Sequence, residues 1–128
     1  MAHILVVEDE IAIAEILLAL FEDEGHSVQL APHGQAGFDA VAGQRPDLVL
    51  TDTTMPVMTG PEMVAALLDH PDLASIPVVV MSALPEAEVR STYIRCATFI
   101  QKPFRLHEVA ATVASILAAI TTKSPPVV

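Results

Sequence analysis

The stretch Pro46-Asp-Leu-Val-Leu-Thr-Asp-Thr-Thr-Met-Pro56 decides the fold. Leu48 to Leu50 is an apolar run with no polar interruption, and two residues later the chain reaches an aspartate, Asp52. Unbroken apolar strands suit a parallel sheet covered on both faces, where neither side meets water. Ile4 to Val7 and Val78 to Met81 have the same character, the second preceded by Pro77. Ser27 to Leu30 alternates polar and apolar as an edge strand does. Ala97 to Gln101, carrying Phe99 and Ile100, is a fifth candidate.

Helical patterns fill the intervals. Ala14, Leu17, Leu18 and Phe21 repeat at three and four residues, with Gly25 placed to stop the helix. Gln35 to Ala42 is a shorter second helix closed by Gly43. A third starts at Pro61, a good first-turn residue, and continues through Leu68 before Pro71. Glu86 to Ile94 follows Pro85. The last runs from about Leu106 to Ile120, with Val109, Val113, Ile116, Leu117 and Ile120 on one face. Five alternations of strand and helix predict an α/β fold, an open parallel five-stranded sheet with helices on both faces and right-handed crossovers. Residues 1–121 are expected to form this domain, and the proline-rich 122–128 a flexible tail or the start of a linker.

Composition narrows the function. The chain has 128 residues, a net charge of −10 and only six Lys and Arg, which argues against direct binding of a nucleic-acid backbone. No apolar run approaches the roughly 20 residues needed to span a bilayer. The amino terminus lacks the pattern of a secretory signal, and one cysteine, Cys96, allows no disulfide framework, so a cytoplasmic setting is expected. Cys96 reads as a small buried apolar group. The five histidines are scattered without metal-ligand spacing and read as surface residues. Gly34 and Gly37 make no phosphate loop, since no Lys-Ser/Thr follows.

The unusual polar residues share one topological address. Glu8 and Asp9 follow the first strand, Asp52 ends the third, Ser82 follows the fourth and Lys102 the fifth. Open α/β sheets bind ligands beyond the carboxyl ends of their strands, at the switch point in strand order. With strands ordered 2-1-3-4-5, the first and third are neighbours and bring the three acids together. Ser82 and Lys102 then arrive from the other side. Close carboxylate pairs repel by roughly 3–4 kcal/mol at an effective dielectric near 20. A hard divalent cation relieves that, and an all-oxygen donor set favours Mg²⁺, with Mn²⁺ as the alternative. A carboxylate also serves as a nucleophile and forms an acyl phosphate. The set predicts Mg²⁺-assisted phosphoryl transfer to an aspartate. Taken singly, Glu8 and Asp9 equally suit capping of the first helix, Asp52 a turn and Lys102 the surface.

Four segments, Ile4-Leu-Val-Val-Glu-Asp-Glu10, Pro46 to Gly60, Ile76-Pro-Val-Val-Val-Met-Ser-Ala83 and Phe99-Ile-Gln-Lys-Pro-Phe104, together resemble the receiver domains of two-component response regulators, the chemotaxis-type receiver family. Pro56 and Gly60 stand four and eight residues past Asp52, as the resemblance requires. The resemblance implies a flavodoxin-like sheet ordered 2-1-3-4-5. It implies Asp52 as phosphoacceptor, Asp9 as direct metal ligand, Glu8 acting through water and Thr54 offering its backbone carbonyl to the metal. Ser82 and Lys102 would hold phosphoryl oxygens, Ser82 and Phe99 would form the switch, and Lys102–Pro103 would be a cis peptide. The implied partners are a sensor histidine kinase or phosphotransfer protein, donating from phosphohistidine, and an output protein or fused output domain.

The chain departs from the family in a short Ser82–Lys102 interval, in Arg95-Cys-Ala where Gly-Ala is customary, and in the Thr53-Thr54 pair. The fourth helix is therefore expected to be short or displaced. Two other functions stay open on sequence: a phosphatase of the aspartyl-phosphate type, which would want an aspartate where Thr54 stands, and an interaction module that takes no phosphate.

Overall fold

The structure, a computed structural model, describes residues 2–52, 60–92 and 98–123. Five strands, β1 (His3–Val7), β2 (Ser27–Ala31), β3 (Leu48–Asp52), β4 (Val78–Ser82) and β5 (Thr98–Gln101), form one sheet in the order β2-β1-β3-β4-β5. Every pairing is parallel. The helices are α1 (Ile11–Asp23), α2 (Gly34–Gly43), α3 (Gly60–Leu68), α4 (Glu86–Thr92) and α5 (Leu106–Lys123).

Side chains along a strand alternate between faces, so the continuous apolar runs supply two cores at once. Leu5, Val7, Val49, Val78 and Val80 pack with Val41, Met63, Val64, Leu67 and Val89 from α2, α3 and α4. Ile4, Val6, Leu48, Leu50, Val79 and Met81 pack on the other face with Leu17, Phe21, Val109 and Val113 from α1 and α5. Each fully buried side chain of this kind contributes about 1.5–3 kcal/mol. β2, the alternating strand, lies at the sheet edge, and its central residues keep part of their surface in water.

Local chemistry fixes the ends. Gly25 adopts φ 90°, and the N–H groups of Gly25 and His26 donate to the carbonyls of Glu22 and Phe21. That is the left-handed closure a glycine permits at a helix C-terminus. Gly37 has a packing reason: a Cβ there would lie 2.9 Å from both Met63 Sδ and Val7 Cγ2, so α2 crosses β1 and α3 too closely for a side chain.

Two of the histidines expected at the surface are half-buried and hold backbone N–H groups. His33 Nδ1 accepts the Ala36 N–H at 3.1 Å and caps α2, while His26 Nδ1 accepts the Ala2 N–H at 3.1 Å. Among the described residues α4 covers Glu86–Thr92 and is anchored by buried Val89. Of the tail expected at 122–128, residues 122 and 123 belong to α5, while 124–128, like Cys96 and the far end expected for α4, lie outside the described residues.

Candidate functional site

Strand ends place the polar groups. Glu8 is the first residue past β1, and its N–H donates to the Ala31 carbonyl, which locks it beside the end of β2. Asp52 and Ser82 are the last residues of β3 and β4, with Asp52 in register with Met81. Lys102 follows β5, and its N–H donates to the Ser82 carbonyl at 2.8 Å. The Lys102–Pro103 peptide is cis, as the resemblance implied.

One carboxylate oxygen from each of Glu8, Asp9 and Asp52 lies within 4.8 Å of the others. Lys102 Nζ donates to Glu8 Oε1 at 2.9 Å and sits 3.2 Å from Asp52 Oδ1. The Glu8 side chain is fully buried, those of Asp52 and Lys102 keep 13% and 19% of their surface, and Asp9 is exposed. The cavity thus grades from a dry floor at Glu8 to an open mouth at Asp9. The second Glu8 oxygen accepts the Glu10 N–H at 3.3 Å.

The electrostatics follow from that gradient. Burial raises the Glu8 pKa above the usual carboxylate range, and the charge on Asp52 adds to the rise, against the lowering effect of the Lys102 hydrogen bond. Burial alone would lower Lys102, but its bond to Glu8 and the charge of Asp52 outweigh it and hold the ammonium above its ordinary value. When fully ionised, three carboxylates and one ammonium leave two negative charges, the deficit a divalent cation cancels. Oxygen donors with an exposed Asp9 at the mouth fit Mg²⁺ entering from water.

Ser82 is buried, and its Oγ accepts the Leu84 N–H at 3.0 Å. That bond uses a lone pair and leaves the hydroxyl proton available to another acceptor. Phe99, in register with Val80, is half-buried against the α2–α4 core. Thr54 lies outside the described residues. The capping alternative for the acid pair is not what forms: the N-cap of α1 is Glu10, with no side-chain cap bond. The Lys102–Glu8 bond was missed by sequence reasoning, which pointed the lysine at a phosphoryl group.

Residues 4–114 match the response regulator receiver domain family. This chain belongs to that family. It is 32% identical over 121 residues to response regulator MprA of Mycolicibacterium vanbaalenii, which covers 93% of this chain and 52% of MprA. Its identity to the uncharacterized transcriptional regulatory protein YkoG of Bacillus subtilis is 34% over 125 residues, 95% of this chain and 54% of YkoG. The chain therefore spans about half the length of these relatives. Sensor histidine kinase TmoS of Ectopseudomonas mendocina matches at 32% over 95 residues, 73% of this chain and 10% of the kinase. Among solved structures, the signal receiver domain of a signal transduction histidine kinase from Syntrophus aciditrophicus superposes with a TM-score of 0.88 at 29% identity. It covers 100% of this chain and 98% of that one. Chemotaxis protein CheY4 of Vibrio cholerae gives a TM-score of 0.85 at 25% identity, covering 91% and 98%. The receiver domain is a phosphoacceptor module of two-component signalling, and its relatives here include response regulators and a histidine kinase alike.

Proposed function

We propose that this receiver domain takes a phosphoryl group on Asp52 from a phosphohistidine and changes its surface in response. The observation that carries the reading is the meeting of Asp52 with two further acids within 4.8 Å and with the Lys102 ammonium at 3.2 Å. An Asp52 oxygen attacks phosphorus in line, the P–N bond breaks, and the departing imidazole keeps the electron pair and takes a proton from water. Asp9 and Asp52, with the Thr54 carbonyl as the resemblance implies, would hold Mg²⁺ or Mn²⁺, which would supply charge neutralisation for the phosphoryl group. Lys102 and the free proton of Ser82 are the protein donors for the remaining phosphoryl oxygens.

Phosphorylation must favour one conformer by about 5.5 kcal/mol for near-complete switching. Recruitment of Ser82 to the phosphoryl group, with Phe99 turning inward, is the proposed source. The donor is a sensor histidine kinase or phosphotransfer protein. An apolar groove of about 550 Å³, lined by Ile13, Ile16, Phe104 and Leu106 beside Lys102, offers it a footing next to the site. An output protein or fused output domain reads the result, in the cytoplasm.

Intact-mass spectrometry with acetyl phosphate and Mg²⁺ tests the reading. Wild-type protein should gain one phosphoryl group and Asp52→Asn none. Equal gain in the variant would sink the assignment.

A further inference from the structure

Among the described residues three polar or charged side chains are buried: Glu8, Ser82 and Thr51. The first two belong to the cavity, and the chemistry proposed above makes no use of the third. Thr51 has no exposed surface and stands in register with Val7 of β1 and Val80 of β4, both fully buried. It follows Val49 by two residues and so shares the face on which α2, α3 and α4 pack. Such a place suits valine, which has the same branched shape and the same preference for strands. A hydroxyl there costs free energy unless it finds a partner. The partner is the backbone of the next residue: Thr51 Oγ1 donates to the Asp52 carbonyl at 2.9 Å.

We infer that Thr51 is a positioning residue for the phosphoacceptor: its buried hydroxyl holds the Asp52 carbonyl and so fixes the backbone from which the reactive carboxylate projects. A carbonyl tied back to its own strand leaves little rotation at Asp52. The bond from Cα to the side chain then keeps one direction, toward the carboxylate position 3.2 Å from Lys102 Nζ. This role rests on the phosphoacceptor reading and deepens it. In-line attack tolerates little error, and a misplacement of about 1 Å costs about a hundredfold in rate. The core forgoes a methyl contact at Thr51, and the nucleophile gains a fixed mount.

Substitutions at position 51 separate this role from plain packing. Thr51→Val keeps the shape and removes the hydroxyl, while Thr51→Ser keeps the hydroxyl and opens a methyl-sized gap. The readout is phosphoryl uptake from acetyl phosphate at saturating Mg²⁺. Thr51→Val should lose about fivefold in maximal rate at an unchanged KM for the donor, and Thr51→Ser should stay within about twofold of wild type. Urea midpoints should rank the other way, with Thr51→Ser below wild type. Thr51→Val should unfold at or above the wild-type midpoint, since Asp52 is only half-buried and its freed carbonyl can turn to water. Wild-type uptake by Thr51→Val overturns the proposal. So does a change in KM alone, a rate that follows the urea midpoint, or equal slowing in both variants.

A second readout needs no phosphoryl group. A carbonyl carbon whose oxygen accepts a hydrogen bond resonates downfield. The Asp52 ¹³C carbonyl signal should therefore move upfield in Thr51→Val and stay near its wild-type position in Thr51→Ser. An unmoved signal in Thr51→Val overturns the proposal, because the hydroxyl would then not hold Asp52. Absence of any uptake by wild type strikes at the phosphoacceptor reading instead, and the carbonyl signal then decides whether Thr51 holds Asp52.

Discussion

Val7 and Glu8 are consecutive, and both are buried, at 0% and 3% exposure; Met81 and Ser82 repeat the pair at 0% and 2%. One residue of each pair belongs to the packed interior and the next to the reactive cavity. Burial therefore does not separate core from site in this domain. Satisfaction does: the interior is held by apolar contacts that agree with one another, while the strand ends gather carboxylates that repel. The interior carries the stability, and the carboxyl edge forgoes some of it for chemistry.

The sharpest break of that comparison removes interior packing far from the cavity. Phe21→Ala, at a fully buried ring between α1 and the sheet, should lose about 3–5 kcal/mol in urea unfolding. Its phosphoryl uptake, measured well below the melting temperature, should match wild type. Mg²⁺ acts on the other region: at a hundredfold excess over its Kd it should raise stability by about 2.7 kcal/mol through mass action. Asp9→Asn should abolish most of that gain. Gly37→Ala presses a methyl against Met63 and Val7 and should cost about 1–3 kcal/mol, toward the lower end because the methionine tip can shift. Without metal, Asp9→Asn should stabilise by about 0.2–1 kcal/mol, since it removes an exposed, water-screened third carboxylate within 4.8 Å of the other two.

The smallest effect is in pH. Folded Glu8 binds its proton more tightly than the ordinary carboxyl, whose pKa is 4.5. The stability this group adds is complete below that value and is lost as pH rises through the raised folded pKa. Metal-free melting temperature should therefore fall across the window just above 4.5 more steeply in wild type than in Glu8→Gln. Lys102 is raised above 10.5, so its contribution holds through neutral pH and goes only in strong alkali.

How much of this was legible in the sequence varies by element. The strands were plain because unbroken runs such as Val78 to Met81 have no other comfortable place. The meeting of Asp9, Asp52 and Lys102 followed from strand-end addresses once the order was supposed. The Glu8–Lys102 bond was not legible, since 94 residues separate the partners and nothing local records which way a lysine turns. The histidine cap escaped as well: His33 does at α2 what Ser, Thr, Asp or Asn usually do, and no pattern of residue types announces it. Gly37 looked like an ordinary helical glycine, because its reason lies in Val7 and Met63 on other elements.

The central claim, that the cavity exists to load Asp52, meets its most direct test in chemical mapping of the phosphoryl group. Borohydride reduces an acyl phosphate to the alcohol and leaves free carboxylates alone. After treatment with acetyl phosphate and Mg²⁺, reduced and digested protein should carry the alcohol at position 52 and at no other acid. Full phosphoryl uptake with an intact Asp52 carboxyl, and the label on Asp9, Glu8 or Ser82, would contradict the account.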